Sequence, residues 1–184
     1  MEIRHLTLAE LRAGIDEITR APRDAGRLAL IVRRPNVDAR EVLDVGELSV
    51  AEGLVGDSWL MRESSRTSDG SRHPDMQLTL MNARAAALIA QDPARWPIAG
   101  DQLFVDLDLA DENLPAWTKL QVGSAVVQVT DQPHTGCGKF VARFGVDAQK
   151  FVNSPLGRQL RLRGLNARVV QAGTIRTGDV IRKL

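Results

Sequence analysis

From residue 28 onward the chain is a succession of short apolar or alternating runs, each closed by glycine or proline, and this pattern confines it to an architecture of many short strands. Leu28-Ala29-Leu30-Ile31-Val32 is apolar, partly β-branched and stopped by Pro35, as expected of a buried strand that opens a main sheet. Further strands are expected at Glu41–Val45, Ser49–Ala51, Gln77–Leu80, Leu103–Leu109, Lys119–Val122, Ala125–Thr130, Ala167–Gln171 and Val180–Arg182. Gly-Asp recurs at Gly56-Asp57, Gly100-Asp101 and Gly178-Asp179. Glycine supplies positive φ and aspartate accepts from turn amides, so these aspartates read first as turn residues, with catalytic acids as the alternative. Many short strands with regular turn signals predict a mainly β barrel or sandwich. At 184 residues, with no linker-like stretch, one domain spanning 1–184 is expected.

Helices are few. Thr7-Leu8-Ala9-Glu10 has the form of a capping box, and Leu8, Leu11, Ile15 and Ile18 recur at helical spacing, so the first twenty residues read as an amphipathic helix within a lead-in over 1–25. Asn82 is placed to cap a second helix over Ala83–Ala90 that ends before Pro93, and a third runs from Val146 to Val152. Arg62 to Pro74 is polar and without apolar periodicity, a loop that is either bland or covers a site.

Charge removes several function classes. With 24 basic and 23 acidic residues the net charge is +1, too small to pull the chain onto nucleic acid or an anionic membrane. All but four of the basic residues are arginine, from genomic base composition or from a phosphate-binding site. The single cysteine cannot form an intramolecular disulfide, and Met1-Glu2-Ile3-Arg4-His5 lacks the basic-then-apolar plan of a secretory signal. A cytoplasmic location is therefore expected. No apolar stretch approaches the roughly 20 residues that cross a bilayer, so no membrane role is expected.

The stretch that carries chemistry is Thr130-Asp131-Gln132-Pro133-His134-Thr135-Gly136-Cys137-Gly138-Lys139-Phe140-Val141-Ala142-Arg143, which leaves a strand and enters a loop. Gly136 and Gly138 let backbone come close to a bound group, and His134, Lys139 and Arg143 favour the thiolate of Cys137. A thiolate there is a nucleophile or a soft-metal ligand. The bland alternative is a buried, inert cysteine. His134 is a candidate general base for Cys137 or a second ligand. Zinc held by Cys137, His134, His73 and a carboxylate is only weakly signalled, since no Cys-x-x-Cys or His-x-x-x-His pair is present. Farther on, Arg158, Arg161, Arg163 and Arg168 crowd one span; Arg161 and Arg163 either hold a phosphate or oxyanion, or decorate a solvated strand edge. Phosphate-loop, dinucleotide-binding and serine-hydrolase motifs are absent.

Taken in order, Gly53-Leu54-Val55-Gly56-Asp57, Gln77-Leu78-Thr79-Leu80-Met81-Asn82, Gly100-Asp101-Gln102-Leu103, Asn113-Leu114-Pro115, the His134–Phe140 cysteine loop, Arg163-Gly164-Leu165-Asn166-Ala167 and Gly173-Thr174-Ile175-Arg176-Thr177-Gly178-Asp179 resemble a MOSC domain, the C-terminal domain type of molybdenum-cofactor sulfurases. The resemblance covers about residues 26–184. It implies a closed β-barrel of the pyruvate-kinase-barrel-like type with a few peripheral α-helices, and Cys137 as a ligand to molybdenum in molybdenum cofactor (molybdopterin) or as a carrier of sulfur. It further implies reduction of N-hydroxylated small molecules, with Arg161, Arg163 and Arg168 toward the pterin phosphate and His134 or Asp131 managing protons. No aminotransferase-like region with its lysine is present, so pyridoxal phosphate is not expected. No fused iron–sulfur or flavin module is present, so electrons, or sulfur, are expected from a separate partner. Three readings thus stand: a molybdenum-dependent oxidoreductase, a sulfur or cofactor carrier with a persulfide on Cys137, and a non-catalytic interaction module.

Overall fold

The computed structural model describes residues 4–184; residues 1–3, which the expected first helix included, lie outside them. The chain opens with helices α1 (Leu8–Ala13) and α2 (Ile15–Thr19), followed by strands β1 (Ala25–Arg33), β2 (Glu41–Leu43), β3 (Val45–Ser49), β4 (Gly53–Leu54) and β5 (Leu78–Asn82). Helix α3 (Ala83–Ala90) then leads to β6 (Leu103–Asp106), β7 (Lys119–Val122) and β8 (Ala125–Val129). Three helices, α4 (Gly138–Phe144), α5 (Val146–Asn153) and α6 (Pro155–Gln159), precede β9 (Leu165–Gln171), β10 (Gly173–Arg176) and β11 (Val180–Lys183).

Seven of these strands close a barrel in the order β1-β11-β7-β8-β9-β5-β6 and back to β1, with β2 added at the far end of β1. All neighbours are antiparallel except β5 and β6, which run parallel through the α3 crossover. The fold is thus the closed barrel expected, a seven-stranded mixed one, although helix and strand contents are about equal. A small sheet of β10, β3 and β4 flanks it.

Period-2 alternation explains both hydrophobic clusters. Leu78 and Leu80 of β5 and Leu103 and Val105 of β6 point inward and join Leu28, Val127 and Ala167 in the barrel core. The residues between them, Met81 and Phe104, point outward and are buried under the helices with Leu11, Ile89, Phe140 and Phe151. That is why β5 and β6 are buried on both faces, whereas β7 and β8, with one face toward solvent, alternate.

The capping box forms: Thr7 Oγ1 accepts from the Glu10 amide while the Glu10 carboxylate accepts from the Thr7 amide. The expected single helix is instead two, broken at Gly14, where the Leu88 side chain fills the space a Cβ would need. The strand expected at Ser49–Ala51 is displaced to β3, and 50–52 turns toward β4. Helices α4 and α6 and strands β4 and β10 fall where no element was expected from periodicity, each being too short to show a period.

One buried polar network ties these elements together. Asp57, at the turn after β4, receives Arg34 Nε at 2.9 Å on Oδ2 and a second Arg34 donor at 2.8 Å on Oδ1. Asp57 Oδ1 also accepts the Trp59 amide, and Arg34 donates to the Gly100 carbonyl at 2.8 Å. Gln102 Oε1 accepts both the amide and the hydroxyl of Thr79 at 2.8 Å. Burial works to raise the Asp57 carboxyl, but Arg34's hydrogen bonds and charge outweigh it and hold it below the usual carboxylate range.

Two outcomes follow. Phe104→Ala empties a site beneath the helices and should cost about 3–5 kcal/mol in urea unfolding. Because the Asp57 pKa is depressed in the folded state, its contribution is present above the unfolded value of about 3.9 and is lost as pH falls through the folded one. Asp57→Asn should therefore be less stable at pH 7 and lose less melting temperature than wild type between about pH 5 and 2; parallel profiles would show that Asp57 is not ionised in the pair.

Candidate functional site

Beyond β8 the chain crosses the barrel mouth, pinned by its neighbours. Thr130 donates its amide to the Asn166 carbonyl and its hydroxyl to the Asp75 carbonyl, and Asn166 Nδ2 reaches back to the carbonyls of Gln132 and Pro133 at 3.1 and 3.3 Å. Gly136 is then clamped by α5: its amide donates to Asn153 Oδ1 at 2.9 Å, and its carbonyl accepts from Asn153 and Gln149. A Cβ at Gly136 would lie 3.0 Å from Val152, so this glycine permits close packing against α5 rather than approach to a bound group. Gly138, by contrast, faces open space. Helix α4 starts directly after Cys137, which places Lys139 and Arg143, four residues apart, on a common face.

Cys137 is exposed and opens into a cavity of about 350 Å³. Arg34, Arg40, Arg62, Lys139, Arg143 and Arg163 wall it, facing only Asp38 and the two carboxylates, Asp57 and Asp101, that bind Arg34 and Arg163. Arg40 and Arg62 have no acidic partner among the described residues. Burial first, and then the charges of the neighbouring arginines, push both guanidinium pKa values down. A cluster of cations that repel one another in this way is an anion-binding arrangement. Burial raises the Cys137 thiol, but the amides of Phe140 and Lys139 and the charge of Arg163 outweigh it and bring the thiol below its ordinary value.

Behind the sulfur lies an ion pair out of reach of solvent. Asp101 is fully buried, and its Oδ2 accepts from Arg163 at 2.6 Å. Arg163 also donates to the Ala99 carbonyl at 3.0 Å and lies 5.0 Å above the Phe140 ring. Gly100 has φ of 95°, the positive value that turns Asp101 inward. His134 Nε2 stands 3.2 Å from Asp101 Oδ1 but outside hydrogen-bond alignment, and both atoms, with Arg163 Nε, are buried without a partner. Burial works to raise the Asp101 carboxyl, while the charge and hydrogen bond of Arg163 hold it well below the usual range. Burial and the charge of Arg163 push His134 down against the pull of Asp101, which favours the neutral imidazole.

The structure therefore brings Cys137, His134, Lys139, Arg143 and Arg163 to one cavity. It does not bring the other candidates there. Asp131 is exposed beyond β8, bonded to Gln132, and lines a separate cavity with Arg161 on the other side of the His134 segment. Arg161 has φ of 48°, which turns it away from Arg163 onto the Leu109 and Leu114 carbonyls and Asp111. Arg168 leaves β9 on its outer face for Gln128, Asp75 and the Trp117 ring. His73 lies by a third cavity without Cys137, and the described residues contain no cluster of three or more His, Cys, Asp or Glu suited to a metal ion. Arg34, Arg40 and Arg62 were not singled out in the sequence, since no motif surrounds them; the recurrent Gly-Asp pairs were visible, but their reading as turns understated Asp57 and Asp101, which anchor two of the site's arginines.

Among the described residues no helix is long and apolar enough to cross a membrane. No protein-family model and no curated protein sequence matches this chain. Solved structures do. YuaD from Bacillus subtilis superposes with a TM-score of 0.57 at 16% identity, over 85% of this chain and 94% of that one. YiiM from Escherichia coli gives 0.55 at 19% identity, over 86% and 69%, and YiiM from Geobacillus stearothermophilus gives 0.52 at 15%, over 86% and 75%. These are MOSC-domain proteins, so the fold agrees with the resemblance read from the sequence; at such identities the likeness shows the fold alone.

Proposed function

We propose that this chain is a MOSC-type protein that binds molybdenum cofactor through Cys137 and reduces N-hydroxylated small molecules with electrons from a separate partner. The observation that carries this reading is the exposed Cys137, its thiol brought below its ordinary value, lining a cavity walled by six cationic side chains.

The residues fit such a group. A soft thiolate suits a soft metal site, and among the described residues Cys137 belongs to no cluster of three or more His, Cys, Asp or Glu, as suits a metal that arrives with ligands of its own. Arg40, Arg62 and Lys139 supply unpaired positive charge for a phosphate, and the buried Arg163 Nε lacks a partner. In this reading the phosphate role implied for Arg161 and Arg168 passes to arginines that line the sulfur cavity. When bound, the group would supply the oxygen-accepting and electron-carrying chemistry. The chain's own part is to favour the Cys137 thiolate with the Lys139 and Phe140 amides, to hold the anion through its arginines, and to place the His134 imidazole at the cavity wall, where it can pass a proton. Exposure of Cys137 also favours a second reading, a carrier that holds a persulfide on its sulfur without turnover.

Elemental analysis for molybdenum on protein from a cofactor-competent host should find near-stoichiometric metal in wild type and none in Cys137→Ala. Metal in neither would overturn the proposal and leave the carrier or a plain interaction module. Independently, the pH profile of Cys137 alkylation by iodoacetamide should have its midpoint below the value of about 8.5 for a free cysteine; a midpoint at or above it would remove the thiolate on which the proposal depends.

A further inference from the structure

Next to the sulfur cavity lies a second compartment of about 200 Å³ that shares Arg34, Arg62 and His134 as its wall but has a different character. Trp59, Met76 and Thr79 contribute its apolar and neutral surface. The Trp59 ring is locked in place: its amide donates to Asp57, its indole N–H donates to the His73 carbonyl at 3.3 Å, and the residue is 6% exposed. Over that ring, 5.4 Å from its centroid, sits the guanidinium of Arg72, an exposed residue of the 62–73 loop with no acidic partner among the described residues. An exposed cation–π contact of this kind is weak, so a better-fitting ring can take the place of Arg72.

Asn166 forms another wall. It is fully buried, and its Nδ2 must face the Gln132 and Pro133 carbonyls, because only a donor can satisfy two acceptors. The amide orientation is thereby settled, and Oδ1 remains a buried acceptor with no donor in reach. Leaving such an atom unsatisfied is costly, and a ligand donor would recover that cost. The Oδ1 atom is closed off from solvent, so side chains of the compartment wall must shift before a ligand reaches it.

We propose that this compartment binds an uncharged planar ring carrying a hydrogen-bond donor, seated on the Trp59 indole in place of Arg72, with its donor on Asn166 Oδ1. The shared wall of Arg34, Arg62 and His134 then orients the ligand toward Cys137. Its role as the substrate's own compartment rests on the proposed function; the binding itself does not.

The test is a titration of metal-free, full-length protein with benzamide, followed through the indole N–H signals of the three tryptophans, that of Trp59 being assigned from Trp59→Phe. A saturable shift of the Trp59 signal is expected, at least tenfold weaker for benzoate, which has no donor, and for cyclohexanecarboxamide, which is not planar. Met76→Trp fills the compartment without touching the Asn166 hydrogen bonds and should abolish the shift, while Cys137→Ala should leave it intact. No shift at Trp59, a shift that survives Met76→Trp, or equal binding of benzoate would overturn the proposal, the last by making the compartment an anion site. Since the protein carries no molybdenum in this experiment, failure here leaves the metal analysis standing, and failure of that analysis leaves benzamide binding to be judged by itself.

Discussion

The buried pair of Asp101 and Arg163 is the contact on which the site depends. Asp101 follows the turn into β6 and Arg163 precedes β9, so the pair joins two segments on either side of β5 in the barrel. From there Arg163 reaches the Phe140 ring in α4 and the cavity that holds Cys137, while Asp101 faces His134. Taking both charges out of water costs several kcal/mol per ion, and replacing such a pair with apolar residues is often neutral or stabilising. A pair of this kind is weak ground for stability; here it places one permanent positive charge beside a sulfur, and that charge favours a neutral imidazole in the wall.

The same logic runs through the rest of the mouth of the barrel. Arg34 is neutralised by Asp57, and the bidentate contact leaves it a fixed wall rather than a free cation. Arg40 and Arg62 have no such partner and sit where neighbouring arginines repel them. Folding thus concentrates positive charge on one cavity of a chain whose net charge is only +1. Mutual repulsion among unpaired cations is unfavourable in the free protein, and a bound anion relieves it.

Between them, the two ion pairs and His134 divide the mouth into compartments of unlike chemistry. The one with the sulfur is cationic and the one with Trp59 joins an aromatic wall and Met76 to a mixed charged rim of Arg34, Arg62, Arg72 and Glu63, while the cavity with Asp131 and Arg161 lies beyond the His134 segment. His134 lines all three, so a single imidazole is placed where protons could pass between the spaces.

Much of this was legible in the amino-acid order. Strand runs, the Thr7 and Asn82 caps and the helix at Val146 follow from local periodicity and turn chemistry, which depend on residues a few positions apart; these left barrel and sandwich open, and closure into a barrel was implied only by the resemblance to the MOSC family. Cys137 stood out because it is unique and flanked by glycines. Only the tertiary structure decided which arginines meet it. Arg34, Arg40 and Arg62 come from the stretches after β1 and after β4, far away in sequence, whereas Arg161, two residues from Arg163, is turned to the opposite side by one positive φ. Side-chain convergence is set by strand closure and by which carboxylate reaches which guanidinium, and neither quantity has a period that a linear pattern can carry.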